Sequence, residues 1–272
     1  MPVAFYLPGY IPVYLSSLIL GLGASLGLAW VAWVAAEQHK VRLLDAGLLA
    51  LAGGLIGGRA GFVYLHWAYF QSHPIEILQV FRGGMSAAGA LAGGFLALVL
   101  LAAISRQPFG ILGYSQLPLA AAVTVSVWLA CWLDGCAYGQ ETNAWWGVPA
   151  RDETGAITQR VPTQLIGALL TLVWFAALRA AQGASGGSLP GRQRLVVGLG
   201  FLGLSLELLL LSFFRADPGP FPLRNSAALR FLDLPVLSIE TWGAIILTVL
   251  SSLGIFIAYL KGIKEREGSR GI

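Results

Sequence analysis

Charge is scarce in this chain: of its 272 residues only 11% are charged, against 57% hydrophobic. With a mean hydropathy of +0.74, that scarcity excludes an ordinary water-soluble domain, in which about a quarter of the residues carry charge. The beginning of the chain has neither a basic run nor a small-residue cleavage site, so a removable signal peptide is not expected. Cysteine is nearly absent, and Cys131 and Cys136 form the single conceivable pair. A disulfide between them suits an oxidising compartment, whereas a five-residue spacing along a continuous helix would point the side chains apart. Basic residues are not gathered into a patch, so nucleic acid is not an expected partner. No metal or cofactor is expected either. The chain shows no inverted repeat and no paired broken helices, which speaks against a small-solute transporter.

What the chain has in place of charge is apolar runs of about 20 residues, each long enough to cross a bilayer as a helix. They lie near 11–36, 47–70, 86–104, 117–134, 162–180, 195–214 and 239–260. The expectation is an all-α, polytopic membrane protein: one transmembrane domain over 1–272, with seven helices and a small extracytoplasmic cap near 134–161. Lys40, Arg42, Arg106, Arg179, Arg192, Arg194, Lys261, Lys264, Arg266 and Arg270 fall in one set of loops, and Arg82, Arg151, Arg160, Arg215, Arg224 and Arg230 in the other. The basic excess places the C-terminus in the cytoplasm and the N-terminus outside. Loop 37–45 reads as a short cytoplasmic connection, and 181–194 as a flexible one rich in Gly and Ser. Tyr10 and Tyr14 open the first span at interface level.

Polar residues inside the spans are the informative ones. Gly53, Gly57 and Gly61 give the second span a smooth face on which another helix can approach closely. Packing does not explain Arg59 within the same span, because an arginine facing lipid is costly and is expected to face the bundle interior or a wet cavity. Arginine there is suited to a carboxylate or another anion, and Glu207 in the sixth span is its natural protein partner. The loop 70–85 holds Ile75, Ile77, Leu78, Val80 and Phe81, which suits a short interfacial helix. Gly83-Gly84 then frees the backbone to enter the third span, whose N–H groups attract phosphate or carboxylate. The segment 134–161 combines glycine punctuation, the pair Trp145-Trp146 and acidic residues, as an outer cap would. Arg215 falls at the outer end of the sixth span, where an arginine can reach lipid headgroups.

Several of these stretches together resemble the prolipoprotein diacylglyceryl transferase family of bacterial inner membranes. Gly58-Arg59-Ala60-Gly61-Phe62-Val63 resembles that family's G-R-x-G-Y-V, and Pro74 with Phe81-Arg82-Gly83-Gly84-Met85-Ser86 resembles its P…W-x-G-G-M-S. Asp134-Gly135-Cys136-Ala137-Tyr138-Gly139 with Trp146-Gly147-Val148 is similar to N-G-C-C-Y-G…W-G-V. Pro162-Thr163-Gln164-Leu165 is similar to H-P-[ST]-Q-L, and 213–218 to the end of F-R-F-x-x-E-F-x-R-x-x-D. The resemblance implies transfer of a diacylglyceryl group from phosphatidylglycerol to the lipobox cysteine thiol of a preprolipoprotein, with glycerol phosphate released. It implies phospholipid, preprolipoprotein and the bilayer as partners, and the inner membrane as the location. It marks Arg59, Gly83, Gly84, Met85, Ser86, Asp134, Gly139, Gln164 and Arg215 as candidate substrate-binding residues, to which Glu207 is added as the partner of Arg59. No catalytic residue is assigned. The family's histidine after G-G-M-S-x falls on Ala88 and the histidine of its H-P-[ST] on Val161. An arginine of its pattern falls on Trp128, and a tyrosine and a second arginine on Leu204 and Leu208. His66 and His73 lie outside the matched residues. The alternative to an enzyme is a non-catalytic paralogue that binds phospholipid or lipoprotein precursor.

Overall fold

The computed structural model describes residues 3–7, 11–80, 83–152, 154–183, 190–216 and 239–270. Its elements in chain order are β1 (Val3–Leu7), β2 (Ile11–Tyr14), α1 (Leu15–Val34), α2 (Glu37–Leu65), α3 (Trp67–Phe70), a 3-10 turn (Pro74–Leu78), α4 (Ala87–Ser105), α5 (Phe109–Ser115), α6 (Leu117–Asp134), β3 (Val148–Arg151), β4 (Ile157–Arg160), α7 (Thr163–Gly183), α8 (Pro190–Ser212) and α9 (Ile239–Arg270). The protein is mostly helical. Six helices among the described residues are long and apolar enough to cross a membrane: Leu15–Val34, Glu37–Leu65, Ala87–Ser105, Leu117–Asp134, Thr163–Ala181 and Gln193–Ser212. The chain is therefore a multi-pass membrane protein. The seventh expected span lies in α9, whose apolar part, Thr241–Ile257, is shorter than the other six. The last loop before it, 217–238, lies outside the described residues.

Two short hairpins interrupt the expected all-helical pattern. Residues 11–14 do not begin the first helix but pair antiparallel with β1, since Pro12 and β-branched Ile11 and Val13 suit an extended chain better than a helix. Within the cap segment β3 pairs with β4 over Val148↔Arg160 to Arg151↔Ile157. Residues 37–45, expected as a loop, are the first turns of α2, where Glu37 and Lys40 pair at 2.6 Å across one helical turn.

By contacts the chain divides into two units. The first contains 1–44, 115–188 and 213–217. In it α1 packs on α6, and α6 on α7. The buried residues of α1 are Ser16, Gly23, Gly27 and Val31, a stripe with helical spacing. A methyl group at Gly23 would overlap Ser126 of α6, and one at Gly27 would overlap Leu119. Small residues bring the backbones this close where no hydrophobic driving force operates in lipid.

α6 stops at Asp134 because Gly135 takes a left-handed conformation, φ +72°, and closes the last turn onto the Cys131 carbonyl. That stop decides the cysteines. The objection to a disulfide assumed a helix running through both, but the chain reverses after Asp134. The Cys136 N–H donates to the Cys131 carbonyl at 3.0 Å, the Cα atoms lie 4.7 Å apart, and the bridge Cys131–Cys136 is formed.

The second unit contains 45–114, 189–212 and 218–272. The expected smooth face of α2 is occupied by α4. A methyl group at Gly57 would lie 2.4 Å from the Gly89 carbonyl oxygen, and one at Gly93 2.2 Å from the Gly53 carbonyl oxygen. α9 packs on α8 and α4. Phe95 of α4 touches Phe109 of α5 and Phe201 of α8, at centroid distances of 5.3 and 4.7 Å.

Candidate functional site

In the second unit Arg59 is only 8% exposed, and its guanidinium is directed at backbone. Nε–H donates to the Ile77 carbonyl at 2.8 Å, and Nη1 donates to those of Gly83 at 2.8 Å and Gly84 at 3.1 Å. Nη2 donates to the carbonyl of Glu76. A guanidinium has five N–H donors, so one on Nη2 keeps no hydrogen bond among the described residues. The rings of Phe62 and Phe70 stand 5.7 and 5.2 Å from its carbon and add cation–π attraction. These carbonyls, rather than the carboxylate of Glu207, take its hydrogen bonds; Glu207 itself is buried on α8. A loop four of whose carbonyls converge on one cation is fixed in shape, so Arg59 clamps the 3-10 turn to the Gly83-Gly84 turn.

Both glycines have positive φ, +83° and +79°, a conformation that costs little only without a side chain. Gly84 also lies under Phe62, since a methyl group there would come within 2.5 Å of that ring. Ser86 follows as the cap of α4: its Oγ accepts from the Gly89 N–H at 3.1 Å, and its own N–H donates to the Gly58 carbonyl at 2.9 Å. Met85 lies over Gly58, its Cε within 2.8 Å of where a methyl group would stand there. The structure thus brings Arg59 and Gly83 to Ser86 together in one arrangement. The interfacial helix expected in 70–85 is the 3-10 turn, with Ile75 and Leu78 exposed.

In the first unit a second group gathers where the cap meets α7. Gly139 pairs with Arg215 in an antiparallel bridge, flanked by Gln140 N–H to Phe214 carbonyl and Ala216 N–H to Tyr138 carbonyl, both 2.9 Å. On its other side Gly139 is pressed against Val161, where a methyl group would lie 2.2 Å from the carbonyl oxygen. Thr163 and Gln164 are fully buried. Thr163 Oγ1 donates to the Ala137 carbonyl at 2.6 Å and Gln164 Nε2 to that of Cys136 at 2.9 Å, which ties α7 to the disulfide turn. Asp134 has one carboxylate oxygen, Oδ1, buried without a hydrogen-bond partner among the described residues.

Arg160, which by sequence only sets the topology, is 7% exposed and organises the cap. It pairs with Glu141 at 3.2 Å and Asp152 at 3.3 Å and stacks on Tyr138 at 4.8 Å. The acidic residues of the cap were a signal that its arginine would be paired. Hydrogen bonds from the Thr154 hydroxyl and the Ala156 and Thr154 N–H groups, with the Arg160 charge, hold the Asp152 carboxyl below its usual range against a smaller opposing effect of burial.

A family model described as prolipoprotein diacylglyceryl transferase matches residues 2–259. The chain belongs to that family. Among named relatives, the phosphatidylglycerol–prolipoprotein diacylglyceryl transferase of Bacillus licheniformis is 36% identical over 111 residues, and that of Staphylococcus aureus 36% identical over 113. Each alignment covers 40% of this chain, and the chain spans 40% of the length of each relative.

Within the family's pattern, the positions where histidine, arginine and tyrosine were expected are packed as apolar ones. Ala88 lies against Gly243 of α9, and Trp128 lies across Gly167 of α7. Leu204 and Val161 are buried.

Proposed function

We propose that this chain is a phosphatidylglycerol–prolipoprotein diacylglyceryl transferase-like membrane enzyme, moving a diacylglyceryl group to a lipobox cysteine thiol. The observation that carries the reading is the turn Gly83-Gly84-Met85-Ser86, held by two Arg59 hydrogen bonds and tied by two more to Glu76 and Ile77 of the 3-10 turn, in a chain of this family. A fixed turn that ends in a helix start, beside a buried cation with one N–H to spare, suits a phosphate ester whose negative charge grows as it leaves. Arg59, Gly83, Gly84, Met85, Ser86 and Glu207 would serve the substrate from the second unit. Within the first unit, Asp134, Gly139, Gln164 and Arg215 form a separate group of candidate substrate-binding residues. The partners are phosphatidylglycerol, a lipobox-bearing preprolipoprotein and the bilayer. The location is the bacterial cytoplasmic membrane with the N-terminus outside, which the distribution of Lys and Arg supports.

The test is conversion of phosphatidylglycerol and a lipobox peptide to the thioether by the purified full-length chain, with loss in Arg59→Ala. A second reading has its own support in the packing of Ala88, Trp128, Leu204 and Val161: a non-catalytic paralogue that binds phospholipid or precursor. It predicts phospholipid that co-purifies and rebinds after removal, with no thioether formed.

A further inference from the structure

A thiol attacks carbon well only after losing its proton, and the position where the family pattern has histidine is Ala88 in this chain. The loop clamped by Arg59 holds another imidazole. His73 directly precedes the 3-10 turn, and its carbonyl accepts the Glu76 N–H at 3.1 Å. Its Nδ1 lies 3.1 Å from the Tyr69 carbonyl and 3.1 Å from Ser72 Oγ. The Ser72 hydroxyl gives its own hydrogen to that same carbonyl at 2.9 Å. A carbonyl only accepts, so Nδ1 carries the ring hydrogen and Nε2 is left with a bare lone pair. The ring is also held by its face, stacked on Tyr69 at 4.4 Å and 9°, while Tyr69 Oη donates to Glu76 Oε2 at 2.8 Å. Edge and face are fixed and the side chain is exposed. The other two histidines are placed differently. His39 lies in the first turns of α2 beside Gln38, and His66 is half-buried with its ring laid on Phe62 at 3.9 Å.

We propose that His73 is the general base of this chain, its Nε2 accepting the proton of the acceptor thiol. The inference rests on the transferase reading above. As Nε2 takes the proton, the thiolate sulfur attacks the diacylglyceryl carbon bonded to phosphate. The S–C bond forms, the C–O bond breaks, and its electron pair leaves with glycerol phosphate. The imidazolium then returns its proton to that phosphate or to water. Among the described residues the ionisable groups around the ring are Tyr69 on α3 and Glu76 on the 3-10 turn, with Arg59 of α2 reaching the same turn through the Glu76 carbonyl.

The test uses the full-length chain in phosphatidylglycerol vesicles with a lipobox peptide. His73→Ala is expected to lower kcat by roughly 10²- to 10⁴-fold, the usual contribution of a positioned base. KM for lipid should stay put, and the acid limb of the pH–rate profile should vanish. His39→Ala should change none of these. His73→Ala turning over at the unsubstituted rate would overturn the assignment and leave the transferase reading standing. An unsubstituted chain that forms no thioether would overturn both. Nitrogen-15 spectra of the labelled histidines give a readout independent of turnover and of any variant's folding: the Nδ1–H tautomer is expected for His73, and an Nε2–H tautomer would overturn the assignment.

Discussion

Replacing Arg59 by alanine removes one donor from each of four carbonyls at once, those of Glu76, Ile77, Gly83 and Gly84, of which Glu76 keeps the Gln79 N–H. Each hydrogen bond to a buried charge contributes about 1.5–3 kcal/mol, and a carbonyl left without a donor costs about 1–3 kcal/mol. Because these carbonyls are half-buried, water can replace some of the lost donors. The lower end therefore applies, and the four together give a local loss of about 3–4 kcal/mol rather than their full total. A loss of about 3 kcal/mol is roughly a hundredfold in an opening equilibrium. Hydrogen exchange at residues 76–80 and 83–86 should accelerate by that factor in Arg59→Ala, while exchange in α6 stays unchanged. Arg59→Lys keeps the charge, but a single ammonium cannot reach carbonyls on both turns as the planar fork does. Its acceleration should lie between the two, at roughly tenfold. Unchanged exchange in Arg59→Ala, or full protection in Arg59→Lys, would refute the clamp.

Gly57→Leu should separate α2 from α4 and lower thermal stability in detergent by about 1–3 kcal/mol, because the methyl group of even an alanine would lie 2.4 Å from backbone. Gly21→Ala, with open space around it, should be neutral or raise stability by about 0.5–1 kcal/mol in the same assay. Replacing Cys131 and Cys136 by serine opens a short covalent loop, which costs about 2 kcal/mol, and should speed exchange of the Gln164 side-chain amide held by the Cys136 carbonyl. Asp152 has a depressed folded-state pKa, so its contribution to the cap is complete above the ordinary value of 3.8 and is lost as pH falls through the lower, folded value. Proteolysis of the β3–β4 hairpin should therefore rise on acidification below that range, and Asp152→Asn should cut at a pH-independent rate.

The helices were legible in the sequence because a bilayer demands long apolar runs, and the glycines at 53, 57 and 61 announced a close helix contact that α4 supplies. The hairpins were not legible. Residues 11–14 are apolar enough to be taken for the start of a span, and apolar content alone does not separate a strand from a helix end. The disulfide turned on one residue: the spacing of Cys131 and Cys136 is unfavourable on a helix and favourable once Gly135 ends it. Arg59 was found because an arginine inside a span is conspicuous. Its partners were hidden, since carbonyls are present at every residue and only the fold decides which four converge. Arg160 was missed for a related reason, as a cap arginine looks like topology until Glu141, Asp152 and Tyr138 are seen around it.

Mass analysis of a lipobox peptide incubated with the purified chain in phosphatidylglycerol vesicles decides whether the chain is a transferase. The expected product is a peptide heavier by one diacylglyceryl group in thioether linkage, with glycerol phosphate released in equal amount. A chain that retains bound phosphatidylglycerol yet leaves the peptide unmodified, under conditions in which another family member converts it, would rule out the transferase reading.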